Sequence, residues 1–290
     1  MHLTPEDIQL IQNDTKTCPD TGMAGASRSL YMDGNATIIA ANKLLAAMRK
    51  EDGTLRTYDE MKAEGIETKY LGRYETNTTP GLCRLDPNTG IGDPTPAFTY
   101  CLNLAEVEVD TKTGKTTVLK FTCVDFVGRI GNIDAVNGQA YSGIMHGIGF
   151  ALKEDYADVK KHANMFGAGT SYIKDVPDDI NLIHIDGAIS DGPFGSSGAS
   201  EAFQASGHCA VLNGIYNACG VRIHEIPALP EKVKAGLDAI AKGEKPYEPK
   251  KYFLGSDMYE ELENIKENPV QVGTQSFYVS LDDPTAERPF

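Results

Sequence analysis

Gly192-Pro193-Phe194-Gly195-Ser196-Ser197-Gly198-Ala199-Ser200-Glu201-Ala202-Phe203 is a run of small residues that ends where a helical pattern opens. Glycine lets the backbone turn sharply, and the first turn of a helix has N–H groups without partners at the positive end of its dipole. The junction is therefore a corner that welcomes an anionic group and carries a carboxylate, Glu201, at its edge. Capping by Ser200 and dipole complementation by Glu201 would account for the same pattern, so the stretch alone leaves both readings open.

Outward from this corner the chain changes period several times. Residues 201–218 read as one helix, 221–226 as a short strand, and 230–242 as a helix with Pro230 at its first position. Upstream, 180–185 reads as a strand and 133–153 as a helix spaced by glycines. Between Phe98 and Val127 apolar residues alternate on either side of Asp110-Thr111-Lys112-Thr113-Gly114-Lys115, the pattern of a β-hairpin. Residues 29–49 form the first long helical pattern, interrupted only by Gly34. A short helix near 57–61 lies within the Gly-, Pro-, Thr- and Asp-rich excursion 51–96, and Thr4-Pro5-Glu6-Asp7 predicts an opening helical turn. Strands and helices mixed in this order predict an α+β architecture. Beyond Gly243 the chain is polar and proline-punctuated apart from a helical pattern at 257–268, which predicts a tail over 243–290 that either docks on a partner or drapes over the surface.

Composition narrows the function. With 290 residues and 41% hydrophobic side chains the chain can build a substantial core. A net charge of -14 argues against a nucleic-acid partner, because phosphate backbones demand a basic face. No apolar run approaches the roughly 20 residues that span a bilayer, and the first residues lack the features of a secretory signal. The expected compartment is the cytoplasm, or the periplasm if a partner carries the export signal. Six cysteines, with no closely spaced pair, build no iron–sulfur or zinc site by themselves, and most are expected to be buried thiols.

Three segments, in order, carry a resemblance. Gly22-Met23-Ala24-Gly25-Ala26-Ser27-Arg28 precedes the first long helix; Asn137-Gly138-Gln139-Ala140-Tyr141-Ser142-Gly143-Ile144-Met145-His146-Gly147 lies on the glycine-spaced one; and the corner ending in Glu201 continues through His208 and Cys219-Gly220-Val221-Arg222. Together they resemble the C-terminal part of the molybdenum-cofactor-binding domain of the xanthine oxidase and aldehyde oxidoreductase family, over about residues 1–242. The resemblance implies that Glu201 is the active-site base. It implies cofactor contacts from Gly25, Ala26, Ser27 and Arg28, from Gln139, and from Gly198, Ala199 and Ser200, with no side chain bound directly to the metal. The common family form has Gly just before the glutamate and Pro shortly after, where Ser200, Ala202 and Phe203 stand here, so the pocket shape is expected to differ. His146 and the segment from Val124 to Asn132 are read as packing.

The implied activity is molybdenum-dependent hydroxylation with water as oxygen source, an aldehyde becoming a carboxylic acid. The implied cofactor is molybdenum–molybdopterin in its cytosine dinucleotide form. The remaining half of the molybdenum domain, and [2Fe-2S] clusters to receive the electrons, are then expected on another domain or subunit. An N-heterocycle hydroxylase, or a scaffold subunit that keeps the fold without the chemistry, are the alternatives.

Overall fold

Antiparallel pairing of β1 (Tyr100–Val109) with β2 (Thr116–Phe126) builds the hairpin that the alternation predicts, with a bulge between Glu106 and Val107. In this computed structural model the described residues are 6, 8–11, 14–76, 92, 95, 97–158, 160–189 and 191–244. The opening turn expected around Thr4, for the most part, and the tail helix expected at 257–268 lie outside them. β3 (Asp179–His184) joins β2 in parallel, giving a three-stranded sheet in the order β1-β2-β3.

The helices follow the periodicity where it is strong. α1 spans Ser29–Met48 and α2 spans Tyr58–Ala63. Thr57 opens α2 with a reciprocal capping box: its hydroxyl accepts from the Glu60 N–H, and the Glu60 carboxylate accepts from the Thr57 N–H. α3 (Ile133–Leu152) is capped by Asn132, whose side chain accepts from the Ala135 N–H at 3.0 Å. α4 (Met165–Ala168) is a single turn, and α7 (Pro230–Ala241) begins at its proline.

Three expectations fail. The helix predicted over 201–218 is two, α5 (Ser200–Ala205) and α6 (Gly207–Cys219), broken at Ser206 with φ -123° and ψ 1°. Residues 221–226 form no strand: Val221 is buried beneath Gly236 of α7, so its apolar character serves a packed loop and not a ladder. The cysteines depart as well, since among the described ones only Cys123 is buried and Cys209 is exposed.

The core lies on the inner face of the sheet, where Val118, Phe121 and Cys123 meet Ala140, Ile144 and Ile148 of α3, with Phe203 and Val211 closing over them. The glycines of α3 make this possible. A Cβ at Gly143 would stand 2.5 Å from the Phe203 Cβ, and one at Gly147 would stand 2.9 Å from the Gly207 Cα. α5 and α6 thus rest backbone to backbone on α3, with the break between them over Gly147. At the far edge of the core His184 lies between Asp125 Oδ2, 2.7 Å from Nδ1, and Asn137 Oδ1, 2.8 Å from Nε2. That bridge ties β2 and β3 to α3 two residues before Gln139, and burial pushes the Asp125 carboxyl up while the His184 hydrogen bond acts against the shift.

Candidate functional site

Ser27 and Glu201, 174 residues apart in sequence, are joined by hydrogen bonds. The Ser27 hydroxyl donates to Glu201 Oε2 at 3.0 Å, accepts from the Glu201 backbone N–H at 3.0 Å, and lies 2.8 Å from Ser200 Oγ. The capping hydroxyl of α5 therefore comes from a distant loop and not from Ser200, and one contact both caps the helix and orients the carboxylate. The backbone at Ser27 is strained to reach it. Ala26 and Ser27 have φ of 53° and 54°, the left-handed region that residues with a Cβ rarely enter. Gly198 completes the clasp, because a Cβ there would sit 1.7 Å from the Ser27 carbonyl oxygen.

Strand β1 and the residue just before it hold the other side. Thr99 Oγ1 donates to the Gly198 carbonyl at 2.9 Å, and Asn103 Nδ2 donates to Ser206 Oγ at 2.9 Å, so the segment carrying Glu201 is gripped at both ends. Below it the loop after β2 is tied in: the Arg129 N–H donates to the Gly195 carbonyl at 2.8 Å, and Ser196 Oγ donates to the Arg129 carbonyl at 2.6 Å.

These contacts border an open cavity of about 670 Å³ lined by all three segments singled out in the sequence: Gly25 and Ser27, Gln139, and Gly198, Ala199, Ser200 and Glu201. Ala26 and Arg28 stand apart. They line a second cavity, of about 330 Å³, shared with Tyr31 and Met32, while Gly25, Ser27 and Gly198 border both. Arg129 and Asn132 also line the larger cavity, although sequence reasoning assigned their segment to packing. The signal available was positional: an Arg and an amide directly after a strand end and at the mouth of a helix.

The donor set suits a polar, anionic organic cofactor. Ser27, Ser29, Ser197 and Ser200, Asn132 and Gln139, and Arg129 all line one space, so hydroxyl-, amide- and guanidinium-bearing residues are gathered around it. Within that lining, among the described residues, Arg129 is the only cation and Glu201 the only carboxylate. A Cβ at Gly25 or Gly131 would meet nothing within 4 Å, so at these two cavity-lining positions the backbone borders open space. Among the described residues no cluster of three His, Cys, Asp or Glu side chains is arranged to hold a metal ion.

A family model for the molybdopterin cofactor-binding domain matches residues 1–177. The chain belongs to this family. As a molybdopterin-binding chain it is 42% identical over 239 residues to an aldehyde oxidoreductase of Megalodesulfovibrio gigas, a match covering 82% of the chain and 26% of the relative. It is 24% identical to the gamma subunit of a 6-hydroxypseudooxynicotine dehydrogenase complex from Paenarthrobacter nicotinovorans, with 84% of the chain and 34% of the relative covered. The crystal structure of the aldehyde oxidoreductase from Desulfovibrio desulfuricans superposes with a TM-score of 0.74 at 44% identity, over 80% of the chain and 25% of that structure. The resemblance to the molybdenum-binding portion of the xanthine oxidase family and the α+β architecture both hold. The chain spans about a quarter of the length of the aldehyde oxidoreductases it matches.

Proposed function

We propose that this chain forms the Glu201-bearing wall of the active site in a molybdenum hydroxylase that oxidises an aldehyde to a carboxylic acid with water as oxygen source. The observation that carries the reading is the clasp between Ser27 and Glu201 at the rim of the cavity, which fixes a carboxylate where the three family-like segments converge. A positioned carboxylate serves as general base, and the Ser27 hydroxyl leaves the other carboxylate oxygen, Oε1, free to take a proton from the water-derived nucleophile. Gln139, Ser197, Ser200 and Arg129 would hold the polar edges and phosphates of a molybdenum–molybdopterin, in its cytosine dinucleotide form. When bound, that cofactor supplies the electron sink for the oxidation. Electrons then leave to [2Fe-2S] clusters on another domain or subunit, and we place the assembled enzyme in the cytoplasm. Identity to aldehyde oxidoreductases at 42–44% favours an aldehyde over an N-heterocycle as substrate.

The test is to purify the chain with the rest of its enzyme and measure molybdenum, cytosine nucleotide and aldehyde turnover in isotopically labelled water. Near-stoichiometric metal and nucleotide, with the label in the acid product, is the expected result. Absence of both metal and turnover would mark the chain as a scaffold, and label in a hydroxylated heterocycle with no aldehyde oxidation would reassign the substrate.

A further inference from the structure

The outer face of the sheet is graded. Read across the register, its rows are Tyr100 with Phe126, Leu102 with Val124 and Ile183, Leu104 with Thr122 and Asn181, then Glu106 with Lys120 and Asp179. At the Glu106 row Lys120 and Asp179 form an ion pair at 3.0 Å, and the next pair, Glu108 with Thr117, is polar too, as expected of a surface in water. At the other end Tyr100, Leu102 and Leu104 are 64%, 63% and 56% exposed, and Ile183 is 44% exposed. A sheet with one solvated face alternates apolar inward and polar outward along each strand. Half of this face breaks that rule, leaving the large apolar side chains of Tyr100, Leu102, Leu104 and Ile183 exposed side by side, the kind of patch that a partner covers.

The apolar half is also the cavity end. Phe126 is followed by Val127 and the cavity-lining stretch at Arg129–Asn132, and Tyr100 is preceded by Thr99, which holds Gly198. Whatever covers Leu102 and Ile183 therefore stands beside the cavity. The relatives contain about three times as much chain again as the part matched here.

We propose that the apolar half of the outer sheet face is the surface on which the remaining three quarters of the enzyme docks, completing the cavity from that side. The inference rests on reading the chain as one wall of a larger enzyme. The occupant presents a complementary apolar layer at the Tyr100 end and leaves the Lys120–Asp179 end in solvent.

The test pairs the full 290-residue chain with the Megalodesulfovibrio gigas aldehyde oxidoreductase lacking its matching quarter, tagged and co-expressed as a separate polypeptide. Association is read without cofactor, by tag capture and light scattering, for the wild type, for Leu102→Glu with Ile183→Glu, and for Phe166→Glu. Phe166 lies on α4, which packs against the other end of α3, and is 83% exposed, so it controls for an added surface charge. The wild type and Phe166→Glu form the complex equally, while the double variant binds about 100-fold more weakly with an unchanged melting curve, as expected when charges enter a desolvated apolar contact. Equal binding by the double variant, no complex from the wild type, or self-association of the free chain through this face in place of a complex each overturns the proposal. Face-dependent association that never takes up molybdenum would leave the docking surface standing and sink the proposed function. Molybdenum and aldehyde oxidation in a complex made with the double variant would do the reverse.

Discussion

Ser27 carries three hydrogen-bonding relationships on a backbone held at φ 54°, beside Ala26 at 53°. Such strain persists only where the surroundings over-determine it, and here the surroundings are Gly198 and the α5 terminus. Ser27→Ala keeps the strain and removes the hydroxyl; stability should fall by about 1–2 kcal/mol in denaturant titration, and turnover of the assembled enzyme by at least about 10-fold as Glu201 loses its tether. The two glycines of the clasp separate packing from ligand space. Gly198→Ala puts a Cβ against the Ser27 carbonyl and should cost about 3 kcal/mol or more, whereas Gly25→Ala enters open space and should change stability by less than about 0.5 kcal/mol while lowering cofactor occupancy. Equal destabilisation by both would mean that Gly25 is a packing glycine. Little of this was legible in the sequence. Glu201 and the Gly- and Ser-rich loops stand out by composition, but neither alanine nor serine announces a left-handed backbone. A contact across 174 residues leaves no local trace. Arg129 was overlooked because a strand end followed by Gly128 reads equally well as a packed turn.

At the scale of elements, the hairpin, α1, α3 and α7 were legible because periods near 2 and 3.6 residues persist over ten residues or more, in spite of Gly34 in α1 and the bulge in the hairpin. The α5–α6 break was not. Ser206 and Gly207 are small residues within an otherwise helical pattern, and what stops the helix is tertiary: Asn103 holds Ser206, and Gly147 receives Gly207. Because α5 rests on α3 through glycines, Gly143→Ala should lower the melting temperature by about 2–8 °C, from about 1–3 kcal/mol of overpacking. It should also reduce turnover, since Glu201 lies two residues before Phe203, whose Cβ would be struck. A melting loss without any change in turnover would disconnect the α3 packing from the site. α2 gives an element its pH dependence. The hydrogen bond from Lys50 and the Thr57 N–H hold the Glu60 carboxyl down to about 2, below its ordinary 4.5. A folded-state value below the unfolded one contributes stability that is complete above about 4.5 and lost as pH falls through about 2. Wild type and Glu60→Gln should therefore melt apart at pH 6 and converge as the pH approaches 2; a constant gap would remove the charge from the explanation.

For the whole molecule, the donors gathered around the cavity make only part of an enclosure, and a cofactor held on one side leaves much of its hydrogen-bonding capacity to water. The chain by itself should retain little molybdenum after gel filtration, and the assembled enzyme should retain close to one per complex; stoichiometric metal on the isolated chain would show a self-contained site. The central claim concerns one atom group, the Glu201 carboxylate that Ser27 orients toward the cavity. Its most direct test is Glu201→Gln in the molybdenum-loaded assembled enzyme, with metal content and steady-state aldehyde oxidation measured on the same preparation. Glutamine keeps the size and the contact with the Ser27 hydroxyl but accepts no proton, so metal content should stay near that of the wild type while turnover falls by about 100-fold or more. Wild-type turnover in the fully loaded variant would contradict the account.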